Sequence, residues 1–279
     1  MFGVEMSGRF ILTLITGLLL WNLAGENPQY SATERAAFTA YALQDYHRAA
    51  QLARHFRHTP HGKLLLGLCE VFDKEEHTLK RGLQTLEKLY HDPETPLPIR
   101  LEAGIVYARS IRLVQLFAEP EIRKQHHDAA IIFQQIIQLA PDSEYARDAA
   151  FYRALNSFSS GNPQLIEQGF TRLENFIAEF KGPDALLAPL HLLAEHEYIR
   201  LNKDYLSAVR HLEAGCKIGF SNQNEQRSAL FRLGFFYYKY LNHPQKAEKA
   251  LEDFRTQYPD SPDIPTAERF LKELRRRRI

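Results

Sequence analysis

The sequence predicts an all-α solenoid, about six helical hairpins in a row closed by one last helix. Three observations predict it. Small residues recur at a fixed interval, at Ala154, Ala194 and Gly234 (194 − 154 = 40 and 234 − 194 = 40). Phe158, Tyr198 and Tyr238 follow them by four positions, Ala150, Leu190 and Leu230 precede them by four, and Asn162, Asn202 and Asn242 follow by eight. Apolar residues lie three and four apart from Ser31 onward, the period of a helix with one buried face. Pro- and Gly-containing breaks separate these stretches, and none alternates as a half-buried strand does.

The elements follow in order. Ser31 and Glu34 have capping-box spacing and open a helix over 31–43. Asp45-Tyr46 begins a second, running to about Phe56 and broken at Thr59-Pro60. Residues 63–72 pair with 78–90, and 99–117 with 127–139 around Glu119-Pro120. Pro141-Asp142-Ser143 closes that unit. Residues 144–158 pair with 165–180, 185–201 with 204–218, and 225–241 with 244–258. A final helix over 265–277 carries Ala267, Phe270, Leu271 and Leu274 on one face, as a cap over the last open stripe needs. Its basic end, residues 275–278, opposes the helix dipole and reads as solvated, with an anionic lipid or acidic partner as the alternative.

Of the 279 residues, 44% are hydrophobic and 25% charged, a globular balance, and the net charge of +1 lacks the basic excess of a nucleic-acid binder. Cys69 and Cys216 have no metal-type spacing and read as small apolar groups, with a disulfide between them left open. Residues 1–25 differ in kind. Arg9 precedes the apolar run FILTLITGLLL (10–20), and no charge interrupts 10–25. That run is shorter than the ~20 residues of a membrane span and suits a signal peptide; an uncleaved anchor or a buried first helix is the alternative. Leu23-Ala24-Gly25 resembles the front of a lipoprotein box, but Glu26 stands where that box needs Cys.

The motifs resemble those of the tetratricopeptide-repeat (TPR) family. Leu230, Leu233-Gly234 and Tyr237 reproduce its first-helix order, as do Ala103-Gly104 with Tyr107, while Leu66-Gly67 has Glu70 in the tyrosine place. Asp45-Tyr46 with Ala49 and Asp204-Tyr205 with Ala208 match the opening of its second helix. Ala129 with Pro141 and Ala247 with Pro259 match its close. The family's unit is 34 residues and this one runs near 40, with Gly169 two positions past the expected alanine. Longer units ending like Tyr258-Pro259-Asp260-Ser261-Pro262 look like exported bacterial TPR proteins of envelope assembly.

The resemblance implies a right-handed superhelix over 31–262, capped by 263–279, that binds a protein or peptide in the groove formed by its first helices. The groove candidates are Phe151 and Leu155, His191 and Glu195, and Phe231, Phe235 and Lys239, with Phe38 as an early equivalent. Phe158, Tyr198 and Tyr238 read as packing residues instead. No cofactor or metal is expected. His55, His58 and His61, and His126-His127, lack companion ligands at usual spacing. No phosphate loop, nucleophile elbow or dinucleotide fingerprint occurs. The expected function is a non-enzymatic scaffold or adaptor, exported to the periplasm or anchored facing it. It meets the membrane only through the N-terminal segment, and self-association is open. The alternatives are a structural subunit of an envelope or secretion assembly and a helical accessory domain of a cell-wall enzyme.

Overall fold

The computed structural model describes residues 30–72, 76–117 and 126–276. The predicted signal segment, residues 1–25, lies outside them, as does the expected break at Glu119-Pro120. The described residues are helical throughout, without strands, and consecutive helices pack against one another. The chain divides into two compact units, residues 1–136 and 137–279. Among the described residues no helix is long and apolar enough to cross a membrane.

In the first unit, α1 (Ala32–Ala42) opens on the Ser31–Glu34 capping box, and α2 (Tyr46–Ala53) on the Asp45 carboxylate, which accepts the Arg48 N–H. A 3-10 turn, Arg54–Phe56, extends α2. Pro60, expected as a breaker, is the first residue of α3 (Pro60–Phe72), where its missing N–H costs nothing. α3 packs closely on α4 (Glu76–His91), and α4 on α5 (Leu97–Phe117). The Tyr107 hydroxyl of α5 donates to Glu87 of α4 at 2.8 Å. Phe38 is 2% exposed and packs edge-on to Tyr30 and His61, so it belongs to the core and not to an open groove.

The second unit follows α6 (His126–Leu139) and is built of α7 (Glu144–Phe158), α8 (Pro163–Glu179), α9 (Ala188–Glu197), α10 (Tyr205–Ile218), α11 (Gln223–Lys239), α12 (Pro244–Gln257) and α13 (Ile264–Arg276). Ser143, Asn162, Asp204 and Asn222 cap α7, α8, α10 and α11 with side-chain oxygens. A 3-10 turn, Asp184–Leu187, leads into α9, and a π turn, Tyr198–Asn202, leads out. One apolar cluster joins α7, α8 and α9 around Phe158, Phe170 and Leu190. A second joins α10 to α13 around Leu212, Leu233, Leu251, Phe254 and Phe270. Ala267, Phe270, Leu271 and Leu274 of α13 are all buried. Cys69 is buried in α3 and Cys216 half-buried in α10, and no disulfide joins them.

Candidate interaction surface

The α11–α12 hairpin shows how each repeat closes. A Cβ at Gly234 would lie 2.6 Å from Leu251 Cγ and 3.3 Å from its backbone nitrogen, so only glycine lets these helices meet here. Ala247, Leu251 and Phe254 are fully buried opposite it. At the first-to-second-helix turn, Asn242 adopts the left-handed conformation (φ 50). Gln44 and Lys203 do the same in their own turns, and Gly161 (φ 69) takes that role between α7 and α8. Residues 228–261, which span α11 from Ser228, all of α12 and the turn to Ser261, match the family model of the tetratricopeptide repeat.

Together with the all-helical hairpin array, this match supports a TPR-like repeat protein. No curated protein matches the chain. Folds of this type typically serve as protein interaction modules.

The first helices of the second unit lie side by side. Phe151 and Leu155 of α7 are half-buried against the cluster that includes Leu190 and Ala194 of α9. Leu192 of α9 packs on the cluster that joins α10 to α13. Phe231 sits 5.3 Å from Phe254, and Phe235 sits 5.8 Å from Phe270, with both rings half-exposed. Lys239 is exposed.

His191 and Glu195 do not share this surface. They are 7% and 2% exposed, with His191 turned toward α10 and Glu195 toward α11. The reason is register. Three structural markers repeat between α9 and α11 at 39 residues, not 40: the tyrosines Tyr198 and Tyr237 (237 − 198 = 39), the left-handed residues Lys203 and Asn242, and a wide closing bond. That bond runs from Asp204 N–H to Tyr198 O in one case and from His243 N–H to Tyr237 O in the other. His191 therefore occupies the place of buried Leu230, and Glu195 that of Gly234. The open positions on α9 are Pro189, Leu192 and His196, followed by Arg200 in the π turn. Asn162, Asn202 and Asn242 are likewise not equivalent: the first caps α8, the second lies in the π turn, and only the third is left-handed.

A polar joint between hairpins was not foreseen. The Tyr198 hydroxyl donates to Glu174 Oε1 of the preceding second helix at 2.8 Å, and Arg210 donates to the same oxygen at 2.6 Å. In the next joint Tyr237 donates to Glu213, and Lys246 reaches the Tyr237 hydroxyl at 3.1 Å and Glu213 at 3.5 Å. Each tyrosine follows its glutamate by 24 residues, the one signal the sequence carried.

Around α9 the joint is extended by two buried histidines. His211 Nε2 lies 2.9 Å from Glu174 Oε1, and its Nδ1 lies 2.9 Å from His191 Nδ1. Burial pushes the Glu174 carboxyl up, but hydrogen bonds from His211 and Tyr198 and the Arg210 charge outweigh it and hold it at about 2. Burial, then the neighbouring His211, lowers His191 to about 4. Burial and the bond to Glu174 raise the Tyr198 phenol. Burial raises the Glu195 carboxyl against the pull of Arg232. That pair is 3.2 Å apart, yet Glu195 Oε2 makes no well-formed hydrogen bond, so the contact is Coulombic. Glu197 accepts from His196 and Arg200, and Arg200 also donates to the Phe158 carbonyl at 3.3 Å, tying the end of α9 to the end of α7.

Proposed function

We propose that this chain is a non-enzymatic scaffold or adaptor that captures a protein segment along the first helices of its second unit. The observation that carries the reading is the run of half-exposed rings, Phe231 and Phe235, beside exposed Lys239 on the helix that begins the matched repeat. Phe151 and Leu155 on α7 and Leu192 and His196 on α9 continue it. Half-buried aromatic anchors flanked by charge are what a peptide-binding face needs: apolar area for affinity, polar groups for register.

The proposal places the protein outside the cytoplasm, in envelope assembly. The uncharged apolar run over 10–20 and the Tyr258–Ser261 repeat ending support that reading. A structural subunit is the second reading, favoured by Leu206 on α10, a second helix, which stands 68% exposed.

The test replaces exposed side chains only, since Phe231 and Phe235 also pack on the core. A chain carrying Lys239→Glu and His196→Gln, which keeps an N–H donor for Glu197, folds as wild type by circular dichroism and loses the partner that wild type retains from envelope extract. Equal retention by both chains defeats the reading. Sequencing the mature N-terminus decides export on its own: a start near residue 26 supports it, and an intact Met1 on cytosolic protein refutes it.

A further inference from the structure

We propose that the chain Glu174–His211–His191 is an acid-operated latch, in which a second proton taken up by the two histidines releases α10 from α8 and α9. The inference concerns the stability of the second unit and does not depend on the partner-binding reading.

Two neutral histidines can fill this chain in only one way. Glu174 is an acceptor, so His211 gives it the Nε2 proton across 2.9 Å. The Nδ1 of His211 is then a lone pair, and His191 must point its own Nδ1–H at it across 2.9 Å. One added proton is accommodated. His211 becomes a cation that donates at both nitrogens, and His191 moves its proton to Nε2. A second proton has no such place. It puts an N–H on each side of the same 2.9 Å gap and two cations in a pocket where His191 is 7% and His211 2% exposed.

The surrounding charges do not relieve the pair. From α8 comes the Glu174 carboxylate, already holding Arg210 of α10 and Tyr198 of the π turn. From α9 comes Glu195, whose carboxyl is raised by burial and which faces Arg232 of α11, with His196 beside it. Both arginines are positively charged throughout this pH range. The available escape is to open, exposing both imidazoles to water. His191 is the sensing group, because its proton is the one the closed form refuses.

Hydrogen exchange on the full chain tests this, with amides of 244–257 as the internal reference and rates corrected for intrinsic exchange. In wild type the opening of 205–218 rises about tenfold per pH unit between pH 6.5 and 4.5, the slope of one proton, while 244–257 does not follow. His191→Gln keeps an N–H donor for His211 but cannot titrate. It abolishes that slope and retains protection at pH 7.5. Equal slopes in wild type and H191Q, or loss of both segments in step, overturn the proposal. Should H191Q be unprotected already at pH 7.5, imidazole NMR of wild-type His191 decides. Titration below pH 5 supports the latch, and titration near 6.5 overturns it.

Discussion

Two joints in the second unit solve one problem with different chemistry. Each binds a glutamate on a second helix to a tyrosine and a cation of the next hairpin: Glu174 with Tyr198 and Arg210, Glu213 with Tyr237 and Lys246. In the first, His211 is buried behind the carboxylate and His191 behind His211. In the second, the place of His191 holds Leu230, and Ala247 and Leu251 of α12 pack under Gly234. One hairpin is closed by ionisable groups and the other by a glycine and apolar contact. The repeat therefore conserves a geometry of approach and leaves open what fills it.

The comparison can be broken in several ways. The largest effect belongs to the apolar joint. Phe254→Ala removes a fully buried ring and should lower stability by ~3–5 kcal/mol, read from the urea midpoint. Next comes pH. His191 takes its proton near 4 in the folded chain and near 6.5 when unfolded, so its contribution is complete above pH 6.5 and is lost as pH falls toward 4. Glu174, held at about 2 against an ordinary 4.5, loses its contribution between pH 4.5 and 2. Both signs agree, and acid should cost up to ~3 kcal/mol across the histidine window, at ~1.4 kcal/mol per pH unit. Thermal melts at pH 7 and pH 4 check this, and equal midpoints would remove the distinction between the joints.

Smaller changes sharpen it. Glu174→Gln strips a carboxylate from three donors and should cost ~1–3 kcal/mol, whereas Glu213→Gln, at a more exposed joint, should cost ~1 kcal/mol or less. Gly234→Ala forces Leu251 aside and should cost ~1–3 kcal/mol, seen as a shift in thermal midpoint. Ser143→Ala, which removes only the α7 cap, should cost ~1 kcal/mol.

The helix order was legible because its punctuation is chemical. Ser31, Asp45 and Asp204 sit where a cap is needed, and the expected hairpins differ from the observed ones by a few residues at their ends. The site was legible only in part. Phe151, Leu155, Phe231, Phe235 and Lys239 keep some exposure, while His191 and Glu195 turn inward. Small and apolar residues are dense enough on these helices to align at either 39 or 40. Backbone bonds at the turns choose between the two, and in the sequence the second-helix alanines Ala208 and Ala247 carry the same interval (247 − 208 = 39). The glutamate–tyrosine spacing is also written there, but only a pair already known to touch gives it meaning. Gly169 is similar: a Cβ there would lie 2.7 Å from that of Ser157, marking a close approach of α8 and α7 that the alanine pattern misses.

Tyr205 and Tyr240 stack face to face, with centroids 3.8 Å apart and planes within 5°, at a rim open to solvent. The chain has a single tryptophan, Trp21, outside the described residues, whose near-ultraviolet chromophores are therefore tyrosine and phenylalanine. Two parallel phenols at that separation couple their transition dipoles. The tyrosine band they contribute in the near-ultraviolet is an optical gauge of how α10 sits against the end of α11 that needs no label.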